Sequence, residues 1–140
     1  MGARRWEHFP HGSDVGLRGI GPTPKDALEM IATALTAVVT DPQSVRPVEQ
    51  LAIECSAIDR EFLTFEWLNA LIFEMDHRKM VFSSFEIHEL DDSHLAARIS
   101  GEQLDRERHR PAVDVKGATM TELAFLQRGD EWVAQCVVDV

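Results

Sequence analysis

The chain has 140 residues, 44% of them apolar, with 24 acidic and 14 basic side chains giving a formal net charge of −10. That is the length of one ordinary domain with a closed core, and too apolar a composition for a disordered segment. So acidic a balance argues against tight direct binding to nucleic acid, which needs a basic face, and suits a basic partner or a hard cation.

The opening MGARRWEHFP carries two arginines with no apolar stretch behind them, so it does not read as a secretory signal. No apolar run approaches the roughly 18–20 residues of a membrane helix. The expected compartment is the cytoplasm, with no membrane partner. Trp6 to Pro10 reads as a short strand entering the loop HGSDVGLRG, residues 11–19, and Val15 to Ile20 as its partner. Thr23, Pro24 and Asp26 then open a helix as cap, first helical residue and dipole-favoured acid. Leu28, Ile31, Leu35 and Val38 fall on one face of it, and Asp41-Pro42 ends it. Leu51, Ile53 and Cys55 alternate as a strand. Asp59 precedes a second helix over residues 60–78, whose apolar face spreads from Leu63, Trp67, Ile72 and Met75 to Phe65, Leu68 and Leu71. A face that wide is expected to be buried on more than one side. Val81, Phe85 and Ile87 form a strand up to Asp91-Asp92, and Leu95, Ala97 and Ile99 return from that turn. Leu123 and Phe125 lead to a turn at Gly129-Asp130, and Trp132, Ala134, Cys136 and Val138 complete a hairpin. The expected fold is a single α+β domain, a two-layer sandwich of two main helices on a mostly antiparallel sheet.

Three carboxylates sit where elements begin or end: Asp14 in the glycine loop, Asp41 after the first helix and Asp139 at the end of the last strand, next to Val140. An all-oxygen set selects calcium, magnesium or manganese over zinc. Spacing alone does not require these groups to meet, and each also reads as a turn former or a solvated end. His8 and His11 match no zinc pattern and read as surface histidines. Lys116, in VDVKGAT, reads as an exposed strand lysine or as one aimed at a phosphate or a partner. Arg108 and His109 lie in the basic run RERHRP and permit local anion contact. Cys55 and Cys136 read as buried thiols. No nucleophile elbow or phosphate loop occurs, and GLRGIG lacks the strand-then-helix context of a dinucleotide site.

Five segments, in order and at fitting intervals, resemble the archease family: HGSDVGLRGIGPTPKDALEMIATAL, VTDPQSV, FLTFEWLNALIFEMDHRKMVFSSFEI, GEQLDRERHRPAVDVKGAT and WVAQCVVDV. The resemblance implies a protein that is not a freestanding enzyme. It would assist an RtcB-type RNA ligase in tRNA splicing and RNA repair, promoting guanylylation of a ligase histidine and multiple turnover, and would meet RNA only through the ligase. It further implies a small α+β fold related to strand–helix–strand–strand modules, and a divalent-metal site of Asp14, Asp139 and the Val140 carboxylate, with Asp41 contributing. Lys116, His109 and Arg108 are the implied partner or phosphate contacts. The sequence departs from the family pattern after the lysine, where Met120-Thr121 stands in place of Tyr-His. Two other readings compete: an independent metal-dependent phosphoesterase, and a metal-independent chaperone-like binding module.

Overall fold

A computed structural model describes residues 2–140. The chain runs β1 (Arg5–His11), β2 (Asp14–Gly21), α1 (Pro24–Val39), a 3-10 turn (Pro42–Ser44), β3 (Glu49–Ser56), α2 (Arg60–Arg78), β4 (Met80–Leu90) and β5 (His94–Gln103). It continues through a four-residue helix α3 (Arg106–His109), β6 (Gly117–Ala118), β7 (Ala124–Arg128) and β8 (Glu131–Asp139).

Both long helices start where side chains satisfy their free N–H groups. Thr23 Oγ1 accepts from the Asp26 N–H at 3.2 Å, and Asp59 Oδ1 from the Phe62 N–H at 2.9 Å. Helix α2 ends at Lys79, which adopts the left-handed conformation and returns its N–H to the Met75 carbonyl.

The strands divide between two sheets rather than forming one. β1, β2, β8 and β6 lie side by side in that order, with β7 also on β8, while β3, β5 and β4 make a separate three-stranded sheet. All pairs are antiparallel. Both helices touch strands of both sheets. This is why the two helices carry apolar residues on more than one side: on α1, Ala27, Leu28, Ile31, Ala32, Ala34, Leu35, Thr36, Val38 and Val39 are buried. One apolar core runs from Leu17 and Cys136 through Leu28, Leu35, Trp67 and Leu71 to Phe85 and Ile99. The Trp67 indole N–H donates to the Leu28 carbonyl at 2.9 Å, tying α2 to α1 inside this core without leaving a buried donor unmet. Helix α1 approaches β2 so closely at Gly19 that a Cβ there would overlap the backbone of Ala27 and Ile31.

The segment carrying Lys116 differs from the strand expected there. Only Gly117–Ala118 pair as a strand, and residues 110–116 have no regular structure. Its apolar residues pack singly instead: Val115 rests on the core, and the Ala112 N–H donates to the Val39 carbonyl at 2.9 Å. Among the described residues no helix is long and apolar enough to cross a membrane.

Candidate metal centre at the end of the larger sheet

The opening loop is the turn of the β1–β2 hairpin. His11 pairs with Asp14, leaving Gly12 and Ser13 as the connection, and Gly12 takes φ +61°. A side chain there would be strained by backbone conformation alone, since no neighbour crowds the position. Asp14 is therefore the first residue of β2, held by the hairpin on one side and by β8 on the other. The β2–β8 register pairs Val15 with Val138, so one further step sets Asp14 beside Asp139. Asp14 Oδ1 accepts from the Val140 N–H at 3.5 Å.

The far side of β8 is held as well. Gly117 pairs with Asp139, and the Lys116 N–H donates to the Asp139 carbonyl at 2.8 Å. The Asn69 side-chain carbonyl accepts from the Ala118 N–H at 2.9 Å and fixes β6 to α2. Asp14, Asp139, Val140 and Lys116 thus share one end of one sheet. Asp139 and Lys116 are exposed, while Asp14 and Val140 are half-buried. Val140 also packs against the core, so its main chain is fixed from both directions.

Asp41 has separate work. It caps the 3-10 turn, accepting from the Gln43 N–H at 2.9 Å, and is exposed. Among the described residues no three His, Cys, Asp or Glu side chains are arranged to hold a metal ion, so Asp41 does not complete a three-side-chain cluster with Asp14 and Asp139. What the register gathers is two aspartates, Asp14 and Asp139, beside the main chain of Val140. These donors are all oxygen and all anionic, a set suited to a hard cation that keeps some of its water.

His109 and Arg108, expected at a partner or a phosphate, turn inward. The His109 side chain has no exposed surface. Its Nδ1 accepts from the Asp105 N–H at 2.9 Å, so the ring proton sits on Nε2 and is given to Glu102 Oε2 at 3.0 Å. Arg108 donates to the other Glu102 oxygen and to the Ser44 carbonyl. The Arg46 N–H adds a third donor to Glu102 at 2.7 Å, and the Thr40 hydroxyl donates to the His109 carbonyl at 2.6 Å. Burial by itself would raise the Glu102 pKa, but the donors Arg108, Arg46 and His109 outweigh it and hold the carboxyl down at about 2. The basic run is thereby a clasp between the end of α1 and the loop leading to Lys116. Its centre, Glu102, lies in the segment GEQLDRERHRPAVDVKGAT, where nothing local assigns it this role. Neither does Asn69 show its role locally, although it lies in the Trp-Leu-Asn segment.

His8 Nε2 lies 2.8 Å from the Ala34 carbonyl, a structural contact, and His11 is exposed. Met120 is exposed and the Thr121 carbonyl accepts from the Val137 N–H at 3.2 Å, so the departure from Tyr-His falls in the turn just after β6. Both cysteines are free and buried, and burial pushes each thiol up to about 11, which leaves them unreactive.

Comparison with known proteins agrees with this architecture. The model of the archease protein family matches residues 6–140. The chain is 33% identical to the archease of Pyrococcus furiosus and 35% identical to that of Thermococcus gammatolerans, each alignment covering 98% of this chain and 99% of the relative. The solution structure of protein 1598 from Methanobacterium thermoautotrophicum superposes with a TM-score of 0.78 at 27% identity, covering 96% of this chain and 98% of that one. A crystal structure from Thermotoga maritima, described as an archease and possible chaperone, shares the fold with a TM-score of 0.60 at 14% identity over 94% of each chain. With nearly its whole length matched by the family and its helices and antiparallel sheets superposing on those of relatives, the chain belongs to the archease family.

Proposed function

We propose that this protein is an accessory activator of an RtcB-type RNA ligase, promoting guanylylation of the ligase histidine and multiple turnover, and that it acts through a divalent cation held by Asp14, Asp139 and the Val140 carboxylate. The observation that supports it is the junction of β2 with the end of β8, where the Asp14 carboxylate meets the Val140 main chain. When bound there, a hard cation supplies charge neutralisation for phosphate oxygens. The chain's own residues do the rest. The hairpin turn and the β8 pairing hold the donors in place before any cation arrives. Lys116 donates its backbone N–H to the Asp139 carbonyl and so holds the end of β8 from its far side. Asp41 stays at the end of α1 as a shaping residue for the neighbouring turn rather than a ligand. The acidic exterior complements the basic face that any RNA-joining enzyme needs, so RNA is met through the ligase in the cytoplasm.

The test is multiple-turnover ligation by the cognate ligase with wild type, Asp14→Ala and a variant extended by a few residues beyond Val140. Loss of a metal ligand should reduce stimulation at least as much as loss of an outer-shell partner, about 10- to 100-fold. Equal stimulation by all three proteins would rule out the carboxylate mechanism. Absence of stimulation by wild type would rule out the ligase partnership.

A further inference from the structure

A groove of about 530 Å³ opens between the last turn of α2, the start of β4 and the loops on either side of α3. Its floor is apolar, made by Val39, Met75, Met80, Val81 and Val115 among others. Three cations stand on its walls, each from a different part of the chain: Lys79 from the α2 cap, Arg106 from the start of α3 and Lys116 from the lead into β6. Lys79 is 3.5 Å from Asp76. No ion pair among the described residues engages Arg106 or Lys116. With Asp76 and Asp114 as the only acids on the lining, the groove carries one net positive charge in a chain whose net charge is −10.

An apolar floor beneath convergent cations suits a ligand with an apolar body and a multiply charged head. Donors from three directions fit a group with several anionic oxygens better than a planar carboxylate, which one arginine can clasp alone. The volume falls in the range of small-ligand sites. We propose that this groove is a nucleoside-phosphate site, with Lys79, Arg106 and Lys116 on the phosphate and the apolar floor under the nucleoside. The same chemistry is presented by a free nucleotide and by the phosphorylated terminal nucleotide of an RNA.

The site is defined without the carboxylate centre or the ligase, so its test uses neither. Amide chemical shifts of the isotope-labelled protein are followed in chelator-treated buffer during titration with adenosine monophosphate, adenosine, inorganic phosphate and a short 3′-phosphorylated RNA. Adenosine monophosphate should move amides around residues 75–81, 104–106 and 114–116 in a saturable way, and bind more tightly than adenosine or phosphate alone. The double variant Lys79→Gln/Arg106→Gln should weaken it roughly tenfold or more. Arg106→Lys should restore part of that loss, and Arg128→Gln, on the distant β7, should change nothing. The same spectra report whether each variant is folded. A short RNA that binds the same amides more tightly than the mononucleotide identifies an RNA end as the source, and equal binding identifies the free nucleotide. The proposal is overturned if neither ligand produces saturable shifts in the groove, if the double variant binds unchanged, or if phosphate alone binds as well as the nucleotide. Ligase stimulation would be unaffected by any of those failures.

Discussion

Burial and pairing act in opposite directions on Glu102, and pairing wins. A carboxyl held near 2 in the folded chain, against an ordinary 4.5, contributes stability that is complete above pH 4.5. That contribution is lost as pH falls from 4.5 through about 2. Glu102→Gln keeps the shape and removes the charge, and should cost about 1–3 kcal/mol at neutral pH. Urea unfolding at a series of pH values checks this: the gap between wild type and variant should close as the wild-type carboxyl takes up its proton. At this scale the sequence was a partial guide. Asp14 and Asp139 were named from their positions in the motifs, but nothing local distinguishes a histidine turned toward a partner from His109, which is turned inward. Its orientation depends on Glu102 and on the α1 terminus near Thr40, groups that only the folded chain brings together.

Between elements, α1 lies directly against the backbone of β2 at Gly19. Gly19→Ala would push a methyl group into the main chain of Ala27 and Ile31, atoms that cannot step aside as a side-chain tip can. It should destabilise by about 3 kcal/mol or more, in the range of severe core overpacking. Gly129→Ala meets no neighbour and suffers only its φ of +65°, for a loss of about 1 kcal/mol. Thermal melts of the two variants measure the contrast. The helices were legible because their signals are local: caps at Thr23 and Asp59, a 3.6-residue apolar rhythm, and Asp41-Pro42 as a stop. The strands were legible individually, and the division into two sheets was not. Alternation tells which side of a strand is buried, but it does not tell which strand lies beside it. Residues 113–116 misled for a related reason, since their alternating Val113 and Val115 imitate a strand although only the Lys116 N–H finds a strand partner, the Asp139 carbonyl.

For the whole molecule, a net charge of −10 means that self-repulsion is relieved wherever a cation is bound. If the carboxylate centre takes a divalent ion, an ion concentration about 100 times its dissociation constant should stabilise the fold by about 2.7 kcal/mol. For a chain of this length that corresponds to a rise in melting temperature of about 5–15 °C. Calorimetry with calcium, magnesium and manganese in turn would measure it and rank the ions. Asp14→Ala should abolish the rise without lowering the melting temperature of the ion-free protein by a comparable amount, because Asp14 makes one long hydrogen bond and little packing.

The position of β8 has a consequence for synthesis. This strand lies between β2 on one side and β6 and β7 on the other, so until residues 131–139 have left the ribosome β2 has a single strand neighbour, β1. The first 103 residues contain both long helices and the three-stranded sheet, yet Leu17 and the inner side of α1 remain incompletely covered during that time. Nascent chains stalled before β8 should therefore expose apolar surface to chaperones and proteases, and become resistant only once residues 131–139 have emerged and paired.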